Sequence, residues 1–365
     1  MKSADPELTG GGNRFRIIDL IRRLGPIARV EIVERTNLSP ATVSAITGGL
    51  IEDGLVTASH VEGGEPSGRG RPRVMLQLQA GILHAVGVKL SLGRISVAVT
   101  DFAGRAVHSL VLPVRLDRQP AETIADLVED GVRQCVSDAG LRLEAISGLG
   151  IGIPGVIDAS AGRSHWSPVF GHAVVNFAAM IERRLSLPTQ IENDANLAAL
   201  AESWFGRAQD LADFAVVTAE DTIGMGLLLG GRLHRGAHGI GAEFGHVKVE
   251  VDGALCRCGQ RGCLDTVASG WALSRNPELL ERAGDMLGLA LANLMNVLNL
   301  PRIILTGSVL TSQELVANRL EAALDRFMLP TLREATEIVR HEWGDEMWAR
   351  GAASLVLRRL YGEPP

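Results

Sequence analysis

Aromatic side chains are scarce, with one Tyr, eight Phe and five Trp in 365 residues, so any large core has to be filled by aliphatic groups. No apolar run reaches the roughly 18–20 residues that span a bilayer, and no membrane partner is expected. The opening MKSADPELTGGGNR lacks the apolar centre of a secretory signal, which makes the cytoplasm the expected compartment. Cysteine is rare too, four in all. In a reducing compartment disulfides are disfavoured, so cysteines that cluster there point to metal ligation. An excess of basic charge is also missing: the net charge is −6, which taken over the whole chain argues against a nucleic-acid partner. Counted by region the picture changes. Through Leu76 there are 10 Lys and Arg against 9 Asp and Glu, and 26 against 33 in the remainder, so the acidity belongs to the larger part.

What is present is an ordinary soluble composition, 46% apolar and 21% charged, in a chain long enough for two or three domains. Three of the four cysteines, Cys256, Cys258 and Cys263, fall within GHVKVEVDGALCRCGQRGCLD, residues 245–265, together with His246. Three thiolates and an imidazole, tied by Gly259 and Gly262, suit a closed tetrahedral Zn2+ site. The bland alternative is three buried thiols beside a core histidine. Cys135 stands alone in an apparent helix and is expected to be a buried apolar residue.

The first 76 residues read as a winged helix-turn-helix. RFRIIDLIRRL, residues 14–24, places Ile17, Leu20, Ile21 and Leu24 on one helical face, and Gly25-Pro26 ends it. Arg29 to Arg35 gives a second helix burying Ile32 and Val33. A turn at Thr36-Asn37-Leu38 leads to a third, with Ser39 as cap and Pro40 at the first position. There Val43, Ile46 and Leu50 face inward. Ser39, Thr42 and Ser44, near the start of this third helix, are the expected contacts to bases in a major groove. Gly48-Gly49 within the helix implies either a bend or a close backbone approach. The polar stretch 62–73 places Arg71 and Arg73 on an extended segment suited to a minor groove, or alternatively to a solvated linker.

From His84 the pattern becomes strands and helices: HAVGVKL, RISVAVT and AVHSLVLPV as three strands, Ala121 to Ala139 as a helix, and ISGLGIGI as a fourth strand. A second round follows, with strands at Phe214 to Thr218, Gly224 to Leu229 and Arg302 to Leu305. A helix from about Glu278 to Asn299 looks apolar on nearly every side and therefore central. Two βββαβα-like rounds imply two lobes with a ligand cleft between them.

GLGIGIPGVID, IENDANLAALAE, HRGAHGIGAEFGH and CRCGQRGCLD, in this order, resemble the ROK family of sugar kinases and sugar-responsive repressors. The winged helix and the GRGRPRV stretch resemble its repressor branch. The resemblance implies a two-lobed, actin-like (ribonuclease H-like) α/β sensor domain, residues 82–365, with a zinc loop at 246–263, preceded by the winged helix-turn-helix of residues 1–76. It also implies Zn2+ on His246, Cys256, Cys258 and Cys263, and a sugar contacted by Asn193, Asp194, Glu243, His246 and Asp265. Two positions depart from the family pattern: Val169 stands where Asn is usual, and Asp265 where Glu is usual.

In kinases of the family Asp194 would be the general base, and phosphate-holding loops would carry the nucleotide. Here the D-x-G-G-T loop is Lys89-Leu90-Ser91-Leu92-Gly93, and the second loop carries Glu220-Asp221 where backbone N–H groups would receive phosphate. ATP is not expected as a cofactor, and no enzyme activity is expected. The resulting expectation is a transcriptional regulator, most simply a repressor of carbohydrate-use genes, acting on double-stranded operator DNA as a homodimer or homotetramer and answering to a sugar or sugar derivative. A hexose kinase with an appended DNA-binding domain is the alternative.

Overall fold

The computed structural model describes residues 6–60, 74–117 and 119–363. The N-terminal unit consists of α1 (Pro6–Leu24), β1 (Ile27–Ala28), α2 (Arg29–Thr36), α3 (Pro40–Glu52), β2 (Val56–His60) and β3 (Val74–Leu78). β3 pairs antiparallel with β1 on one side and β2 on the other, which is the wing. α1 starts eight residues before the expected helix and runs through Gly10-Gly11-Gly12, whose low helix propensity hid its beginning. Asn37, in the left-handed region at φ 56°, caps α2 and turns the chain into α3. Ser39 caps α3 as expected, accepting from Thr42 N at 3.1 Å. Ile17, Ile21, Ile32, Val43 and Leu50 are fully enclosed. Val33 and Ile46 are only half-buried, and Thr47 takes the inner place instead. Its hydroxyl is satisfied there, donating to Val43 O at 2.8 Å and accepting from Arg29 Nε at 2.9 Å. Residues 61–73, with the expected DNA contacts Arg71 and Arg73, lie outside the described residues.

The larger unit contains two sheets of one plan. In the first, β4 (His84–Ser91), β5 (Arg94–Asp101) and β6 (Ala106–Pro113) run antiparallel, while β7 (Ile146–Ile153) and β10 (Thr189–Asn193) add parallel to the other side of β4. A small hairpin of β8 (Val156–Asp158) and β9 (Arg163–Trp166) lies between them in sequence. In the second sheet β11 (Phe214–Ala219), β12 (Ile223–Leu229) and β13 (Arg232–Leu233) are antiparallel, and β14 (Arg302–Thr306) and β15 (Glu337–Arg340) add parallel to β11. The repeated connectivity is that of the two-lobed fold expected from the sequence.

α4 (Ala121–Asp138) and α5 (Phe177–Leu185) cover the outer face of the first sheet, and Cys135 is wholly buried beneath α4. Between the sheets lie α6 (Asp194–Trp204) and the C-terminal α13 (Asp345–Tyr361). α13 presses on β4 and β7 backbone to backbone: a Cβ at Gly87 would come within 1.8 Å of Ala349 O, and one at Gly150 within 1.9 Å of Ala352 O. On the outer side of the second sheet, after α7 (Asp265–Ala268) and α8 (Gly270–Arg275), come α9 (Leu280–Leu298) and, beyond the one-turn α10 (Ser308–Thr311), α11 (Glu314–Phe327) with α12 (Pro330–Ala335). α9 is not central in the sense expected. It buries one face against the sheet and α11 but leaves Val297 81% exposed.

The N-terminal unit is not tethered loosely. Its core continues into Phe102, Trp204, Leu357 and Tyr361, so α1 packs on the last turns of α6 and α13. Tyr361 donates its hydroxyl to Phe102 O at 2.7 Å. Arg22 donates to Trp204 O at 3.0 Å and lies 4.6 Å over the Trp204 ring.

Candidate metal centre and ligand pocket

The four expected ligands come together. The donor atoms of His246, Cys256, Cys258 and Cys263 lie within 4.8 Å of one another. Cys258 Sγ and Cys263 Sγ are 3.7 Å apart, and Cys256 Sγ is 3.8 Å from His246 Nδ1. A tetrahedron built on bonds of about 2.3 Å has edges of about 3.8 Å, so the cluster is already close to the shape zinc takes. Gly259 and Gly262, at φ 86° and 72°, make the tight turns that fold three cysteines around one point. Burial, with Lys248 and Arg257 nearby, lowers the His246 pKa, which keeps the imidazole neutral as a metal ligand must be. Burial also pushes the Cys256 thiol up to about 12. It would raise Cys258 too, but the Gln260 N–H and the neighbouring thiols draw Cys258 below its ordinary value.

Beside this cluster, between the lobes, is a small polar pocket. Asn193, Asp194, Glu243, His246 and Asp265 all line it, so every residue expected at a sugar site reaches the same space. β10 delivers Asn193 to the N-terminus of α6, where its Oδ1 accepts from Ala195 N at 2.8 Å and its Nδ2 donates to Gly155 O at 2.8 Å. Asp194 begins the helix and pairs through Oδ2 with Lys89. Ala242, held at φ 64°, turns Glu243 inward, its Oε2 3.9 Å from His246 Nε2. With Nδ1 turned to the cysteines and Nε2 to Glu243, His246 faces both sites. Burial, and then the Asp194 carboxylate, raise the Glu243 pKa to about 7, making it a group able to donate as well as accept.

Asp265, short by a methylene, is held back. Its Oδ1 accepts from Ile223 N at 2.9 Å and its Oδ2 lies 3.5 Å from Arg257 Nη2. Burial raises its pKa, opposed by those two contacts. Val169 is 1% exposed and does not line the pocket; the wall on that side is Trp166. The pocket's free space is about 30 Å3, enough for about two waters.

A second cavity, of about 190 Å3, shares Asp194 and Thr222 with the first and is lined by Lys89, Ser91, Arg94, Glu220, Asp221 and Trp348. This is where the two altered loops meet. The Glu220 carboxylate accepts from Ser308 N at 3.2 Å and from Ser308 Oγ at 3.1 Å. Asp221 accepts from Arg257 Nη1 at 2.9 Å.

Several contributors were not visible as site residues in the sequence. Trp166 stands three residues before Val169 and carries no motif. Arg257 lies between two cysteines, a position read as spacer, yet it ties the metal loop to Asp221 and Asp265. Glu192 is fully buried, accepting from Asn193 N and Asn196 Nδ2 at 2.9 Å and pairing with Arg235 Nε at 2.8 Å, which joins β10 to the loop that delivers Glu243. Of the expected DNA contacts, Ser39 and Ser44 are exposed and Thr42 is half-exposed on the open side of α3.

Comparison with known proteins places the fold. The ROK family model matches residues 85–279 and 274–359, and a winged helix-turn-helix DNA-binding model matches residues 12–57. The chain is 26% identical to the DNA-binding transcriptional dual regulator NagC of Escherichia coli, over 95% of this chain and 93% of that one. It is also 26% identical to the xylose repressor of Bacillus subtilis, over 98% of both. Among solved structures, a ROK family transcriptional regulator homologous to the E. coli Mlc protein superposes with a TM-score of 0.80 at 23% identity, covering 97% of both chains. The ROK hexokinase of Thermus thermophilus superposes with a TM-score of 0.65 at 28% identity over 76% of this chain and 98% of its own. A winged helix-turn-helix ahead of a two-lobed, kinase-like domain is therefore the architecture of a known group, and the chain belongs to the ROK family.

Proposed function

We infer that the protein is a sequence-specific DNA-binding transcription regulator, a repressor of carbohydrate-use genes, controlled by a sugar or sugar derivative held between the lobes. The observation that carries this reading is the continuity of the winged helix with the ligand pocket. α6 runs from Asp194 in the pocket to Trp204 in the core of the DNA-binding unit, and α13 runs beside it to Tyr361 in the same core. A ligand that binds one lobe arrangement better than another shifts the winged helices by no more than that difference in affinity allows. Two half-sites about one DNA turn, roughly 34 Å, apart or a multiple of that, call for a homodimer or a homotetramer.

The sugar hydroxyls are accepted by Asn193, Asp194, Glu243 and His246 Nε2, with Asp265 contributing through its remaining lone pairs. Carboxylates recognise vicinal hydroxyls through charge-assisted hydrogen bonds. His246, Cys256, Cys258 and Cys263 hold Zn2+, which fixes the loop and leaves one imidazole nitrogen facing the ligand. Ser39, Thr42 and Ser44 meet base edges from α3, and Arg71 and Arg73 reach the minor groove.

Phosphoryl transfer is disfavoured because Lys89 occupies the base, Asp194, and Glu220 and Asp221 place negative charge where phosphates need donors. The test is a titration of candidate sugars into the full-length protein on a duplex selected by the protein from a random-sequence pool. Release on one or a few sugars is expected; no change across the panel refutes sugar control. Sugar phosphorylation from ATP that Asp194→Asn abolishes would establish a kinase instead.

A further inference from the structure

Lys89 is a cation almost out of solvent, 8% exposed, at a position where the kinases of this family carry an aspartate. A buried ammonium without partners is costly, and Lys89 has two. Its Nζ pairs with Asp194 Oδ2, and it sits 4.3 Å from the centre of the Trp348 ring, over its face. Asp194 is the first residue of α6 and Trp348 lies in the opening turn of α13. One side chain from β4 thus touches the pocket end of both helices that run to the DNA-binding core. It also stands between the ligand pocket and the second cavity, which share Asp194.

We propose that Lys89 is a positioning residue that carries ligand engagement from Asp194 to α13. The inference rests on the sugar-sensor reading above. A sugar hydroxyl donating to Asp194 changes where the carboxylate directs its lone pairs. Lys89 follows the carboxylate, and because its other face is held by the Trp348 ring, the first turn of α13 shifts relative to α6. Cation–π contacts in desolvated sites are strong enough to matter, and a two-position side chain biased by a ligand is the physical requirement for coupling. Here the cation engages the same carboxylate and makes it part of a mechanical link.

The experiment compares wild type, Lys89→Met, Lys89→Arg and Trp348→Leu, all full length. N-acetyl-D-glucosamine, D-xylose and D-glucose are the probes, on a duplex selected from a random pool. Sugar binding is read by calorimetry, and the coupling ratio is the operator Kd at saturating sugar divided by that without sugar. For a probe that changes the wild-type ratio about tenfold or more, Lys89→Met is expected to bring the ratio to within about twofold of unity even where the sugar still saturates. Lys89→Arg should keep most of the coupling. Trp348→Leu, which leaves Lys89 and Asp194 in place, should lower the ratio with sugar affinity changed by less than about threefold. A wild-type ratio in both Lys89→Met and Trp348→Leu overturns the proposal while leaving the sensor reading intact. Should Lys89→Met fail to fold, the Trp348→Leu ratio alone decides. A wild type indifferent to every sugar tested removes the sensor reading and this inference with it.

Discussion

Cys256 and Cys258, in one cluster, have thiols shifted in opposite directions. In the metal-free chain burial holds the Cys256 thiol at about 12, so at neutral pH it keeps its proton, and zinc binding has to displace it. Cys258, drawn below its ordinary value, is the thiol most ready to meet the metal first. Zinc affinity is therefore predicted to rise with pH between about 6 and 8, because each step up removes protons the metal must otherwise expel. Competition against a chromophoric chelator checks the slope, and a flat profile would mean that these thiols are not the ligands. Stripping the metal should also weaken sugar binding, since His246 and Arg257 both belong to the loop and both reach the pocket or its wall. Calorimetry with and without chelator measures it, and unchanged affinity would make the loop a staple only. At this scale the sequence was informative about which Cys and His side chains come together and poor about what surrounds them. Crowding in the sequence exposed the Cys3His set, and the resemblance to the ROK family supplied the five pocket residues. Trp166, Arg257 and Glu192 act through distance in space, and nothing in their local sequence announces the partner.

The third helix, α3, holds an open question in Gly48-Gly49. The helix continues through both without a break, and a Cβ built on either meets nothing within 4 Å. Among the described residues no close approach of another segment requires either glycine. Glycine costs about 1 kcal/mol relative to alanine in a helix interior. Gly48→Ala with Gly49→Ala should therefore stabilise the folded protein by about 1–2 kcal/mol, read from urea unfolding. If DNA approaches this backbone, the same double variant should bind its selected duplex at least tenfold more weakly. Gained stability with undiminished DNA affinity would remove the close-approach explanation. Elements of this kind were well located by periodicity and caps: β4, β5, β6 and α4 fall where alternation and the 3.6-residue repeat put them. Misreadings came where propensity and burial conflict. Triple glycine concealed the start of α1, and the alanine, leucine and methionine content of α9 suggested burial on all sides, although only one face is covered.

At the scale of the whole molecule the two lobes were legible in the repeated strand pattern, but the seating of the winged helix was not. Phe102, Trp204, Leu357 and Tyr361 come from three separate stretches of the larger unit, and each looks like ordinary core until the fold brings it against α1. Arg22 is the polar fastener of that seam. Its side chain is 6% exposed, it donates to Trp204 O and stacks over the indole, and Asp19 accepts from its Nη2 at 2.8 Å. A hydrogen bond from a charged donor contributes about 1.5–3 kcal/mol and a cation–π contact about 0.5–2 kcal/mol. Arg22→Ala removes both and leaves the end of α6 and Asp19 short of a partner, while Ile17, Ile21, Val43 and Leu50 still hold the winged helix together. The variant should keep DNA binding by the isolated recognition surface but lose most of its response to sugar, because the rod ending at Trp204 no longer grips α1. Hydrogen exchange resolves the point. Amides of α1 facing the seam should exchange faster by one to two orders of magnitude, while those in α9 and the first sheet stay as in wild type. If protection across α1 is unchanged and the sugar response survives, the signal does not travel through this seam.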